Sequence, residues 1–313
     1  MGKRVVSAVS RLQGNNRALK AGEVGMSDFE LAFEEVDPLV KAFRRMVREG
    51  AWDVTEMALT TYITAKAYGA KLTAIPVFLV RGFHHQAIVA SRKSNVAAPK
   101  DLEGRRVGVN RGFTVTTGVW ARAVLAEEHG VDLDKVTWAR SSEEHVPNWR
   151  LPPNVEELGS EGSLEEQLAR GDLPAAVGLT ASETTRPLIP DAFAAGVAAL
   201  KSRGFYPINH LVVIRDDVLA EVPDLAVQLF NAFAESKRRY VSDLKAGRVS
   251  EPTAADKVHL AALDVMDDPL PYGIAPNRAL LETLMGHAVA QRIIDGPIAL
   301  ENLFAPNTLD LVG

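Results

Sequence analysis

Cysteine is absent from all 313 residues, which removes disulfides, thiolate metal sites, a cysteine nucleophile and a lipoprotein-type anchor together. Positive charge is never concentrated: no basic run exceeds Lys237-Arg238-Arg239, and the net charge is −5. Neither nucleic acid nor an anionic membrane surface is therefore an expected partner. No stretch approaches the ~20 apolar residues needed to span a bilayer. Met1–Val9 begins with Lys3 and Arg4, enters a short apolar run, and gives way to polar Arg11, Gln13, Asn15 and Asn16. That leaves no apolar stretch long enough for a secretory signal, so a cytoplasmic protein is expected. A Gly-x-x-x-x-Gly-Lys-Ser/Thr phosphate loop and a Gly-x-Ser-x-Gly nucleophile elbow are also missing, and the glycines of Val107–Gly112 lack the dinucleotide spacing.

What is there describes an ordinary globular chain, 47% hydrophobic and 24% charged, long enough for two domains. Short apolar runs alternate with amphipathic stretches, which predicts an α/β architecture. Val5–Val9, Val54–Leu59, Leu72–Leu79, Gln86–Ser91, Val107–Val109, Val136–Ala139, Ala175–Leu179 and His210–Ile214 read as strands. Pro38–Glu49, Thr60–Tyr68, Thr114–His129, Ser163–Arg170 and Pro223–Ala246 read as helices. Residues 143–163, rich in carboxylates and broken by Gly and Pro, read as an irregular surface segment. Two extended runs, 86–91 and 210–214, bracket the block 107–179. The chain order thus predicts two lobes joined by two crossover strands, with a cleft between them: residues 1–85 plus 210–313 in the first lobe and 86–209 in the second. Ligands of such sheets favour domain interfaces and the carboxyl ends of strands.

The chemistry-bearing residues fall near those crossings. Arg81-Gly82-Phe83-His84-His85 sets an arginine, suited to a carboxylate, beside two histidines able to move protons near neutral pH. If the segment is a strand, only one of His84 and His85 can face a cleft. Asn209-His210 lies at the second crossing. Glu56, in the apolar context Val54-Thr55-Glu56-Met57-Ala58, reads either as a base or orienter partnered by Arg81 or a histidine, or as a solvent-facing strand residue. Thr60 and Thr61 open one predicted helix, and Thr114, Thr116 and Thr117 open another. Such hydroxyls and free backbone N–H groups form anion sites, or simply cap. Glu127-Glu128-His129 and Glu143-Glu144-His145 read as solvated surface, without metalloprotease spacing.

The order and spacing of several stretches carry a family resemblance: Asp53–Tyr62, Ala74–Phe78, Arg81 with Phe83 and His85, Asp101–Val109, Phe205–Arg215, Asp268–Ile274 with Asn277-Arg278, and Leu303–Pro306. In these the chain resembles the 4,5-dihydroxyphthalate decarboxylase-like family, relatives of the NMT1/THI5-like proteins on the type II periplasmic-binding-protein fold. The resemblance implies an aromatic carboxylate substrate and nonoxidative decarboxylation by acid–base chemistry. It assigns catalysis to His85, with His210 as a second acid or base and Glu56 beside them. Substrate contacts are then expected from Arg81, His84, Thr60, Thr61, Thr114, Thr116, Thr117 and Asn209, and from two loops that depart from the family pattern, through Asn15, Arg111 and Phe113. No cofactor is required; the alternative is a divalent ion on His85, His210 and Glu56, since two histidines and a carboxylate make a plausible metal set. A homo-oligomer is compatible with this reading. The competing class is a solute-binding protein for a small aromatic or other carboxylate anion. A thiamin-pyrimidine synthase-like relative would bring a cysteine-rich motif, which is missing.

Overall fold

A computed structural model describes residues 2–313. Its strands, in chain order, are β1 (Arg4–Val9), β2 (Phe29–Phe33), β3 (Val54–Ala58), β4 (Leu72–Arg81), β5 (Ile88–Ser91), β6 (Arg106–Val109), β7 (Thr137–Arg140), β8 (Val155–Glu157), β9 (Ala175–Val177), β10 (Thr185–Pro187) and β11 (Ile208–Arg215). They form two sheets, and the chain divides into two compact units.

The first unit comprises Met1–Gly82, Ile208–Thr283 and Ile298–Gly313, around the sheet β2-β1-β3-β11-β4. β1 runs parallel to β2 and β3, whereas β11 is antiparallel to β3 and β4. β3 is buried along its whole length, as a central strand covered on both faces must be. The helix Val40–Glu49 turns Ala42, Phe43 and Met46 inward and ends at Gly50, whose φ of 60° supplies the left-handed cap.

The second unit comprises Phe83–Pro207 and Leu284–Pro297, around the sheet β10-β5-β9-β6-β7-β8. Its longest helix, Thr116–His129, follows β6 and closes on Gly130 at φ 63°. The helix Leu164–Arg170 opens on a capping box, Ser163 Oγ accepting from Glu166 N at 3.2 Å while the Glu166 carboxylate accepts from Ser163 N at 2.8 Å.

Three features differ from the sequence expectation. Leu284–Pro297, assigned above to the first lobe, packs with the second unit. There Trp149 Nε1 donates to Ile293 O (2.9 Å), Arg122 Nε donates to Gln291 Oε1 (2.8 Å), and His287 faces Glu127 (2.7 Å). Helical periodicity says nothing of which core a helix end joins. The segment 143–163 is not wholly superficial, since Glu144, His145, Val146 and Trp149 are buried and β8 lies within it. Finally, His84–Ala87 is a 3₁₀ turn rather than a strand, so both histidines are buried and strand alternation does not separate them.

Phe83 enters the second unit against the helix Ala192–Arg203. A Cβ on Gly196 would lie 2.4 Å from the Phe83 Cβ. Gly196→Ala gains up to ~1 kcal/mol of helix propensity but overpacks the contact at a cost of about 1–3 kcal/mol. Net destabilisation is expected as a lower urea midpoint with an unchanged m-value; a raised midpoint would contradict the packing.

Candidate functional site

The first unit brings Glu56 and His210 together. On β3 and β11, His210 is opposite Ala58 and Val212 is opposite Glu56. Glu56 is thus the diagonal neighbour of His210 on one sheet face, within reach of long side chains. His210 Nδ1 lies 2.7 Å from Glu56 Oε1. Glu56 Oε2 accepts from Ser10 Oγ (2.8 Å), Arg11 N (3.0 Å) and Gln13 Nε2 (3.2 Å). The residue is only 1% exposed. Burial pushes its carboxyl up, but the hydrogen bond and charge of His210, the Ser10 hydroxyl and the Arg11 charge outweigh it, so the net shift is downward and Glu56 stays ionised.

An ionised Glu56 accepts from Nδ1–H, which leaves Nε2 of His210 as the nitrogen able to take or give a proton. The ring meets Phe43 edge-on, centroids 5.2 Å apart, and its side chain is 18% exposed. The pair is a held, partly solvent-accessible general acid–base with its tautomer set by the carboxylate.

His85 belongs to another arrangement, within the second unit. Its side chain is fully buried, with Nε2 between both Glu128 oxygens at 3.0 and 2.9 Å. Its Nδ1 has no hydrogen-bond partner among the described residues. Glu128 also pairs with Arg203 at 2.5 Å. Burial pushes the Glu128 carboxyl up, and the hydrogen bond and charge of His85, with Arg203 and His129, bring it below the usual range. Glu127-Glu128-His129 is therefore more than solvated surface.

Two other candidates, Arg81 and Asn15, tie segments of the first unit together. Arg81 donates through Nη2 to Pro271 O (3.3 Å) and to Asn277 Oδ1, pinning the 271–277 segment. Asn15 donates to Leu79 O (2.9 Å) and to the Tyr272 hydroxyl (3.2 Å). Thr60 and Thr61 are buried in the first turn of Leu59–Ala67; His84 is buried and Asn209 half-buried. In the second unit, Thr116 is buried and Thr117 half-buried at the start of Thr116–His129, while Arg111 is exposed in the left-handed region at φ 70°. Phe113 stacks on Trp149 (5.9 Å) beneath the Arg122 guanidinium (3.7 Å).

The threonine-rich helix start already holds an anion of this chain. Glu144, 5% exposed, accepts from Phe113 N (2.6 Å), Thr114 N (3.1 Å) and Thr114 Oγ1 (2.7 Å). Gly112 is required there, since a Cβ would sit 2.5 Å from Glu144 Oε2. Sequence reading placed Glu144 in solvent because the glutamates and polar residues around it mask a buried position. Ser10, Arg11 N, Gln13 and Phe43 were likewise missed; the one available signal was that Gln13 opens a loop departing from the family pattern. Among the described residues no three His, Asp or Glu side chains are placed to hold a metal; of the expected set, Glu56 and His210 meet within the first unit and His85 belongs to the second.

Residues 34–147 match the model of the NMT1/THI5-like family. Over 312 residues the chain is 27% identical to the 4,5-dihydroxyphthalate decarboxylase of Comamonas testosteroni, covering 94% of each. A protein of the same name from Pseudomonas putida is 32% identical over 170 residues, which cover 52% of this chain and 65% of that one. Along most of its length the chain is thus similar to 4,5-dihydroxyphthalate decarboxylases. Solved structures show that the chain has a periplasmic-binding-protein-like fold of type II. The periplasmic aliphatic sulphonate-binding protein of Escherichia coli superposes with TM-score 0.54 at 10% identity, covering 99% of this chain and all of that one. The desulfurization enzyme DSZB, solved with biphenyl-2-sulfinic acid, superposes with TM-score 0.57 at 17% identity, covering 98% of each. No helix of the described residues is long and apolar enough to cross a membrane.

A carboxylate whose pKa is lower folded than unfolded stabilises the fold above its unfolded value, ~4.3, and that contribution is lost as pH falls through the folded value. Glu56→Gln is expected to cost on the order of 3 kcal/mol near neutrality, the scale for breaking a buried pair. The gap from wild type should narrow as pH falls below about 4. Chemical denaturation from pH 7 to 3 measures it, and a gap independent of pH would refute an ionised Glu56.

Proposed function

We propose that the protein decarboxylates a hydroxylated aromatic carboxylate, with His210 as the proton-transfer group and Glu56 as its orienting carboxylate. The Glu56–His210 pair is the observation that carries this reading: it alone among the candidate histidines combines a fixed, ionised partner with solvent access at the second nitrogen. The decarboxylase names of the curated relatives support the reaction class.

In such a substrate a hydroxyl ortho or para to the leaving carboxylate donates electron density into the ring. As the phenolic proton passes to water, the carbon bearing the carboxylate becomes basic. The imidazolium of His210 delivers its Nε2 proton to that carbon, the C–C bond breaks with its electron pair returning to the ring, and carbon dioxide departs. Aromaticity is restored, and the phenol regains a proton. His210 is then neutral and recovers a proton from solvent, so one proton is consumed per carboxylate lost. Glu56 stays ionised throughout, holding Nδ1–H and stabilising the imidazolium. The ring supplies the electron sink, and a redox cofactor has no step to perform.

The fold is also that of sulphonate-binding proteins, so capture of a small aromatic or other carboxylate anion without turnover is the competing reading. Carbon dioxide release from a panel of hydroxyphthalates and hydroxybenzoates separates the two: binding without release of carbon dioxide would favour capture. His210→Asn is expected to lower kcat by about 100-fold or more, the usual contribution of a positioned acid–base, and to cost on the order of 3 kcal/mol of stability by breaking the pair with Glu56. His85→Asn should also lower stability but leave kcat within a few-fold. Equal turnover in wild type and His210→Asn would remove His210 from the mechanism.

A further inference from the structure

The first unit contains a cavity of about 1150 Å³ lined in part by the segment Arg11–Gly14, and the chemistry above makes no use of it. Its wall includes Arg11, Arg17, Tyr240, Arg248, Thr253 and His259. The carboxylates around it are mostly committed. Asp243 pairs with Arg248 at 2.6 Å, Glu23 lies 3.9 Å from Arg239, and Asp256 accepts from Thr253 N and Oγ1, both at 2.8 Å, and from the Tyr240 hydroxyl. Glu251 is exposed. Arg11 and Arg17, both exposed, have no side-chain hydrogen bond or ion pair among the described residues, although the Arg11 charge also acts on Glu56.

His259 gives the cavity a second, more selective feature. It is 5% exposed, and burial holds it near 4, with Asp256 opposing, so the ring is neutral at ordinary pH. The single hydroxyl proton of Tyr240 goes to Asp256. The contact of 2.8 Å between Tyr240 Oη and His259 Nδ1 therefore requires Nδ1–H to donate. Nε2 is left as a bare acceptor. Two cationic donors and one neutral acceptor lining the same cavity suit an oxyanion that still carries a proton. A fully deprotonated anion of equal charge would set its lone pairs against that of Nε2.

We propose that this cavity is a binding site for inorganic phosphate, with Arg11 and Arg17 supplying charge and His259 Nε2 accepting the P–O–H hydrogen. The site stands independently of the decarboxylase reading. It lies against the segment that holds Glu56: Gly14 packs so closely on the Tyr240 ring that a Cβ would come within 2.1 Å of it, while neighbouring Gln13 donates to Glu56.

Calorimetric titration of the full-length protein at pH 7.5 and fixed ionic strength, with phosphate, sulfate and phenyl phosphate, tests this. Phosphate is expected to bind saturably at one site, about tenfold or more tighter than sulfate, which lacks the proton. Phenyl phosphate, mostly without a P–O–H at that pH, should follow sulfate. Arg17→Gln should weaken phosphate about tenfold, and His259→Phe should abolish the preference for phosphate over sulfate. Either absence of saturable phosphate binding or equal affinity for sulfate would overturn the proposal. The wild-type comparison decides the case even where His259→Phe fails to fold.

Discussion

Burial of one ionised carboxylate governs the architecture around the site. Glu56 stands in a central strand with no solvent contact, where an unpaired charge costs several kcal/mol. Four hydrogen bonds to its two oxygens offset that cost, and three come from residues that follow β1 within a few positions: Ser10, Arg11 and Gln13. The loop is fixed in turn by Asn16, whose amide nitrogen donates to Ser10 Oγ and Arg11 O, both at 2.9 Å, and whose oxygen accepts from Gln13 N at 2.8 Å. The chain after β1, the middle of β3 and the start of β11 are thereby locked to one carboxylate. This is a polar constraint rather than an apolar one, and it specifies register more sharply than hydrophobic packing does.

Much of this order was legible in the sequence, for identifiable reasons. Alternating apolar runs and helical periods gave the α/β class and most elements to within a residue or two; the helix expected from Thr114 begins at Thr116, and that expected from Thr60 begins at Leu59. An acidic residue inside an apolar strand has to be partnered, so a histidine was a natural candidate for Glu56. Which histidine was not legible, because the choice depends on β11 pairing antiparallel with β3 in one register. β2 was missed because Phe29–Phe33 alternates buried and exposed positions over only five residues. The burial of Glu144 was missed because two of its three hydrogen-bond donors are backbone N–H groups, which leave no mark in the side-chain pattern.

Glu144 also revises how the threonine clusters should be read. Hydroxyls and unpaired N–H groups at a helix start attract negative charge, but this chain supplies the charge itself from a distant loop. Arg140 lies 3.5 Å from the same carboxylate. Arg122, fully buried and pulled down to about 9 by desolvation with Glu144 opposing, adds a cation beneath it. Hydrogen-bonding capacity at the start of Thr116–His129 is therefore organised around an internal anion, and the local sequence alone would not have distinguished this from a ligand site.

The two histidine–carboxylate pairs show how burial, not residue type, assigns chemistry. His85 with Glu128 and His210 with Glu56 share the same functional groups and similar separations, 2.9 and 2.7 Å. In the first, the carboxylate is the partly exposed member and the imidazole is sealed, so the nitrogen not bonded to Glu128 reaches neither solvent nor a partner. In the second, the carboxylate is sealed and the imidazole reaches solvent. Proton transfer needs a fixed partner on one nitrogen and access on the other. Only the second pair meets both conditions, and exchanging which member is buried would exchange the roles.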